Sequence, residues 1–344
     1  MSIIRFRRII AALVLAALAS SLGAQERLPL KPARVVLGGR AVAMVADALY
    51  AFPEARSSVV SIAGTDQGLG TFLEAVQPGF LAKPGLDRTA GAEAYAALRP
   101  DLVILKSGMK ASLGAGLSAL RVPTLYVELE TPEDYYADLA AIGRVYGAER
   151  RAVELIAYYK EIVDRVESTA RLARAAGAAQ PRVLVVQASA GAYQVPPDAW
   201  IQTRMVEMAG GSPVWKGQNP GSGWATVGAE QIAAWNPDIV VVISYREDAS
   251  KLAAAIAADP RFAGLRAVRD GRVRGYAQDF YSWDQPDTRW GLGLLWMSKL
   301  IHPERQRQLS LETEARRFFK LFYDLGDDAF EATILPRAQG DWLR

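Results

Sequence analysis

The sequence contains no cysteine and a single histidine, His302, in 344 residues. Disulfide frameworks, thiol catalysis, iron–sulfur ligation and zinc sites built from clustered Cys and His are therefore excluded. Long hydrophobic runs are missing too: beyond the first two dozen residues no stretch reaches the roughly 18 uninterrupted apolar positions that a membrane-spanning helix needs. An excess of one charge is present only in appearance. The 40 Lys and Arg outnumber the 37 Asp and Glu by three, and a pI near 9.0 points at first to nucleic acid or an anionic surface. The surplus is Arg5, Arg7 and Arg8, in a segment without acids, so the rest of the chain carries 37 charges of each sign. No global cue for nucleic acid survives.

What is present begins with an export signal. Arg5 to Arg8 form a basic start, Ile9 to Ala19 an apolar run of 11 residues, and Ser20 to Ala24 a small-residue stretch. That run is too short to span a bilayer. Residues 1–24 read as a signal peptide cleaved near Ala24, leading to the periplasm. The pair Arg7–Arg8 lacks the rest of a twin-arginine signature, so the general secretory route is expected. With no Cys after the signal, no lipid anchor can be attached.

With 51% hydrophobic and 22% charged residues, the remaining chain has the composition of a folded protein and the length of two lobes. Strand-like apolar runs at Val35 to Leu37, Val59 to Ile62, Leu102 to Leu105 and Thr124 to Val127 alternate with helical segments at Ala41 to Tyr50, Ala92 to Leu98 and Glu133 to Tyr146. That β/α order predicts buried, parallel strands. The second half repeats it, with strands at Val183 to Gln187, Ile239 to Ile243 and Val273 to Tyr276. Helices are expected there at Thr203 to Ala209, Gln231 to Ala234 and Ala249 to Ala257. Between the halves, Ala148 to Ala176 has neither Pro nor Gly and predicts one helix about 40 Å long. The organisation expected is a first lobe over 31–147, a connecting helix over 148–177, a second lobe over 180–302 and a helical tail over 303–344.

The halves share an internal repeat at a fixed offset of 137 positions. TAGAEAYAALRPDLVIL from Thr89 realigns with TVGAEQIAAWNPDIVVV from Thr226, pairing Gly91 with Gly228, Glu93 with Glu230, Pro100 with Pro237 and Asp101 with Asp238. Gly and Thr open a helix, Pro-Asp closes it, and an apolar strand follows. Two unrelated βα units converge on Pro-Asp easily; matching in phase through loop, helix and strand favours two similarly built lobes.

These features resemble the periplasmic binding proteins that deliver iron–siderophore complexes, haem or cobalamin to ABC importers. The resemblance runs from about Arg34 to His302–Glu304. It implies an α/β fold of two lobes with mainly parallel sheets, a single long interdomain helix and a ligand cleft between the lobes, with limited hinge closure. It also implies that Glu93 and Glu230 project from the two lobes to meet Arg residues of an ABC permease dimer at the inner membrane. Exposed carboxylates near helix starts suit such steering, although each also simply favours the positive end of its own helix.

Cleft residues are expected in loops that follow strands. The first lobe offers cations there: Arg40, Lys83, Arg88, Lys106 and Lys110. The second offers aromatic faces at Tyr193, Trp224, Tyr281 and Trp283, and all eight Trp lie at or after Trp200. This asymmetry suits a bulky anionic chelate, its charge met by cations and its organic shell by rings. Trp200, Trp235, Trp290 and Trp296 sit in helix-like stretches and read as packing residues. Arg289 is placed to reach the cleft or cap a carbonyl. The basic run AVRDGRVRGY reads as a solvent-facing turn into a strand, not as a site.

The Gly-rich GTDQGLG and Gly38–Gly39 lack the P-loop Lys and the dinucleotide spacing. The resemblance implies a monomeric, soluble, non-catalytic substrate-binding protein with no intrinsic cofactor or resident metal. Its ligand would be an iron chelate such as a siderophore, haem or a cobalamin-like compound. The alternative within transport is molybdate or tungstate, which cationic loops and helix starts would hold. An exported hydrolase or chelatase using Asp284, Asp287 and His302, or an accessory sensing module, represents other classes.

Overall fold

The computed structural model describes residues 28–64, 72–189 and 191–342. The signal-peptide expectation and the GTDQGLG loop therefore lie outside the described residues, save Gly64. Strands β1 (Val35–Leu37), β2 (Val59–Ala63), β3 (Gly85–Leu86), β4 (Leu102–Lys106) and β5 (Thr124–Val127) form one parallel sheet in the order β3-β2-β1-β4-β5. Strands β6 (Arg182–Ser189), β7 (Ala192–Val195), β8 (Ser212–Pro213), β9 (Ala225–Val227), β10 (Ile239–Ile243) and β11 (Val273–Gly275) form a second sheet, ordered β11-β10-β6-β7-β9 with β8 also on β6. Its β6, β8, β10 and β11 are parallel, and β7 runs against β6 and β9. The central strands β1, β4 and β10 are buried at every position, as parallel strands covered on both faces must be.

One helix, Glu149–Ala175, links the two sheets. Its 27 residues span about 40 Å. A stripe at three- and four-residue spacing, including Leu155, Tyr159, Ile162, Val166 and Ala173, is buried along it. The preceding helix, Pro132–Tyr146, starts with a capping box between Thr131 and Asp134 and Pro132 in its first turn, and ends at Gly147 with φ 63°.

The repeat is realised in the fold, the second helix running one residue further than the first. Helix Ala92–Ala97 corresponds to Ala229–Trp235, and β4 to β10, at the offset seen in the sequence. Arg99 and Asn236, at equivalent places, both adopt left-handed backbone to end the helices. The Asp of each Pro-Asp then has a definite task. Asp101 accepts hydrogen bonds from the N–H groups of Ala33 and Arg34, both 2.9 Å, where β1 begins. Asp238 accepts from the N–H of Arg182, 2.8 Å, where β6 begins. Each carboxylate ties the start of its strand to the start of the neighbouring parallel strand, satisfying amides that would otherwise be orphaned.

The short strands β3, β7, β8 and β9 were not foreseen, because two to four residues leave no periodicity to read. A helical turn, Arg266–Arg269, runs into the start of AVRDGRVRGY, before β11. The tail is more than a single helix: Leu311–Tyr323 packs Phe318, Phe319, Phe322 and Tyr323 inward, and Asp327–Thr333 follows. Phe319 and Tyr323 meet Phe72 of the first half at 5.6 and 4.6 Å, and Glu314 pairs with Arg165 of the long helix. The tail thus fastens to elements on both sides of the molecule.

Candidate functional site

In the first sheet the chain leaves β1 toward β2 and later crosses to β4 on its other side, so the C-terminal ends of β1 and β4 form a topological switch point. Ligands of open α/β sheets lodge in such crevices. The loop after β1 is tightly built there. A Cβ at Gly38 would overlap the Tyr95 hydroxyl, and Gly39, at φ +74°, donates its N–H to that hydroxyl at 3.0 Å. Ala41 is left-handed at φ 55°, an unfavourable conformation for a residue with a Cβ. Between these two constrained residues stands Arg40, exposed, immediately before the fully buried helix Val42–Tyr50. The positive end of that helix and the guanidinium concentrate positive potential at one place.

The other first-lobe cations are distributed differently. Arg88 is exposed just beyond β3, its Cγ 4.0 Å from where a Cβ on Gly64 would lie, close to the end of β2. Lys110 lies over the Tyr126 ring at 5.7 Å. Lys106 ends β4 as expected, but its ammonium donates to the Glu128 carbonyl and the Glu130 carboxylate, the latter at 2.6 Å. It is a buried tie between β4 and the loop after β5. Lys83 donates to the carbonyl of Val59, 2.7 Å, at the first residue of β2. It therefore sits at the end of the sheet opposite the switch point, because the loop preceding β3 turns beneath the strands.

In the second lobe, Trp224 is half-buried and meets Trp200 edge-on at 5.8 Å and Tyr245 at 6.3 Å. Trp200 is thus not a helix packing residue; it precedes the helix Ile201–Met208 and shares an aromatic group with Trp224. Behind the group lies Asp284, whose Oδ2 accepts from the Tyr245 hydroxyl at 2.9 Å and the Gln202 amide at 3.0 Å. Burial pushes the Asp284 carboxyl up to about 6, with these donors only partly offsetting it. Sequence reasoning missed Tyr245 and Gln202. The only available signal was the position of Tyr245 just past an apolar strand.

Tyr193, on β7, is nearly buried, packed against Phe262 at 5.5 Å with its hydroxyl 3.5 Å from Arg261. Tyr281 and Trp283 are placed away from solvent altogether. Trp283 donates its indole N–H to Asp279 at 3.0 Å and packs on Trp342, while Gly293 lies so close that any Cβ would overlap the Trp283 carbonyl. The Tyr281 ring covers the Arg289 guanidinium at 4.8 Å. Both rings serve the core, because their loop is roofed by the helix Trp290–Ile301. Trp290, Trp296 and Trp235 are buried packing residues as expected.

Arg289 neither reaches a cleft nor caps a carbonyl. It is completely buried and joins the halves: Nη1 meets Asp47 of the first at 2.8 Å, and Nε meets both oxygens of Asp279 at 2.8 and 2.9 Å. Asp287 lies 3.6 Å away. Burial pushes Asp47 up to about 7 in spite of Arg289, and drives Asp287 upward as well. Burial also works against the Arg289 charge, but the three carboxylates together hold it protonated. Further buried bonds cross the same seam, from Tyr135 to the Pro286 carbonyl at 3.0 Å and from Tyr323 to the Asp47 carbonyl at 3.2 Å. Asp47 had a signal in the sequence: it is the one charged residue in the apolar helix VAMVADALY.

No catalytic triad forms from Asp284, Asp287 and His302. His302 bonds the Ala209 carbonyl at 2.9 Å, Asp284 is held by Tyr245 and Gln202, and Asp287 belongs to Arg289. Among the described residues no group of three His, Cys, Asp or Glu is placed to hold a metal ion, and no helix is long and apolar enough to cross a membrane. Glu93 and Glu230 are both exposed at the second position of equivalent helices, each carboxylate turned back over its N-cap glycine.

The sequence profile described as "Periplasmic binding protein" matches residues 35–279. The molybdate-binding protein MolA of Haemophilus influenzae is 22% identical over 262 residues, covering 71% of this chain and 72% of MolA. Among solved structures, an ABC transporter solute binding protein from Sulfurospirillum deleyianum superposes with a TM-score of 0.72 at 20% identity, covering 89% of this chain and 95% of that one. A periplasmic solute binding protein from Veillonella parvula gives 0.68 at 20% identity, over 90% and 92% of the two chains. The chain belongs to the periplasmic binding protein family.

Proposed function

We propose that this chain, exported by its first 24 residues, captures a bulky anionic metal chelate in the periplasm and hands it to an ABC permease without chemical turnover. Two unlike surfaces, one on each lobe, support this reading. Arg40 stands at the switch point and positive end of the helix Val42–Tyr50, and the half-buried Trp200–Trp224–Tyr245 group stands on the second lobe. A siderophore or tetrapyrrole complex needs both: cations for its carboxylate or phenolate charge and ring faces for its organic shell. Arg88 extends the cationic side. Metal arrives already wrapped by its own ligands, since one His and no Cys suit no soft-metal cage. Glu93 and Glu230 supply the permease contacts.

A second reading, molybdate or tungstate, is favoured by the likeness to MolA. A small tetrahedral oxyanion is held by N–H groups and a guanidinium and has no organic shell for an indole to cover. Calorimetric titration with ferric hydroxamates, ferric catecholates, haem, cobalamin, molybdate and tungstate separates the two. For a chelate, Trp224→Ala should weaken affinity at least tenfold while the unfolding temperature without ligand stays put. Molybdate binding unaffected by Trp224→Ala, with no chelate bound, overturns the chelate reading in favour of the oxyanion.

A further inference from the structure

The strand β11 closes the second sheet at one edge, with β10 on its inner side only. Beyond that edge lies a cavity of 690 Å³, within the range of small-molecule sites. Helix Ala249–Ala258 forms one wall, and the residues that line the cavity, Ser250, Ala253, Ala254 and Ala257, follow helical spacing and are all small. Their lack of bulk is what opens the space. Trp296, Leu300 and Pro303 supply an apolar wall opposite.

Three cations stand around this space: Arg272, Arg274 and Lys299. Among the described residues none of them has a carboxylate within ion-pair distance. They donate instead to carbonyls: Arg272 to Leu300 at 3.1 Å, Arg274 to Gly271 at 2.6 Å and Lys299 to Leu309 at 2.7 Å. Carbonyls orient a cation without neutralising it. Among the described residues, the carboxylate on the lining is Asp341, whose Oδ2 accepts the Gly275 N–H at 2.8 Å. The basic run that reads as a solvent-facing turn in the sequence is therefore gathered around a concave, apolar-walled space by the tertiary fold.

We propose that this edge cavity is a second ligand site, separate from Arg40 and from the Trp200–Trp224–Tyr245 group, and that it binds a small organic anion with an apolar body and one acidic head. A carboxylate, sulfonate or phosphate monoester would place its head among Arg272, Arg274 and Lys299 and its body against Trp296 and the alanine wall. The probe is 8-anilinonaphthalene-1-sulfonate, followed by fluorescence on the whole chain. A single saturable site is expected, displaced by decanoate and not by decyltrimethylammonium. Ala254→Trp, on an exposed helix position, and Arg274→Glu should each weaken it at least tenfold with circular dichroism unchanged, and Trp224→Ala should leave it alone. Absence of saturable binding, survival of both edge variants, or loss in Trp224→Ala instead would overturn the proposal. Because Trp224 belongs to a different aromatic group on the second lobe, failure here leaves the chelate reading untouched.

Discussion

A guanidinium with no exposed surface is tolerated only where counter-charge surrounds it. Arg289 meets that condition with Asp47, Asp279 and Asp287, and its planar face is covered by Phe72 at 4.4 Å and Tyr281 at 4.8 Å. Removing it strands three buried carboxylates. Arg289→Ala should cost about 3–5 kcal/mol in urea unfolding at neutral pH. Asp47→Asn should cost clearly less, because burial already pushes that carboxyl up to about 7 and a neutral amide resembles its protonated form. Equal losses for the two variants would show that the arginine's charge is not what the site depends on.

At the scale of elements, the repeated unit explains why the lobes look alike. Gly opens the helix, a left-handed residue ends it, and Asp101 or Asp238 clamps the adjoining parallel strand. Much of this was legible, since the Gly, Pro and Asp positions punctuate backbone geometry directly. The role of each Asp was not, because its partners at Ala33 and Arg182 lie 68 and 56 residues away in sequence. The same unit presents Glu93 and Glu230 at matching helix starts. The double variant Glu93→Ala with Glu230→Ala should bind solute normally yet stimulate the reconstituted transporter's ATPase at least tenfold less. Undiminished stimulation would reduce both residues to helix-start stabilisers.

The whole molecule carries its buried acids in a way that sets its pH response. Burial pushes Asp47 up to about 7, and Asp138 and Asp284 up to about 6, from an ordinary 3.8. Between those values the folded state holds protons that the unfolded chain has released, so stability falls as pH rises from about 4 to 7. Burial lowers His302, which works the other way near neutrality, but it is one group against several. Glu161 and Asp259, held low by hydrogen bonds from Arg317 and Arg261, lose their contribution only below about 4. The urea midpoint should therefore be higher at pH 5 than at pH 7.5. A midpoint that rises steadily toward pH 7.5 would contradict the burial of these carboxyls.

The β/α order, the long linking helix, the repeat and the absence of cysteine chemistry are all legible in the chain alone, because composition, periodicity and backbone punctuation are local properties. Arg40 and Trp224 were readable as loop residues beside strands for the same reason. Which side chains face one another was decided only in three dimensions. Tyr281, Trp283 and Arg289 share a loop that looks like any aromatic cleft loop until a helix roofs it, and Asp47 finds its counter-ion 242 residues away. Burial is a property of the packed whole, and it alone turned that loop into the seam between the lobes, left Trp200, Trp224 and Tyr245 on the second lobe, and gathered Arg272 and Arg274 around a cavity.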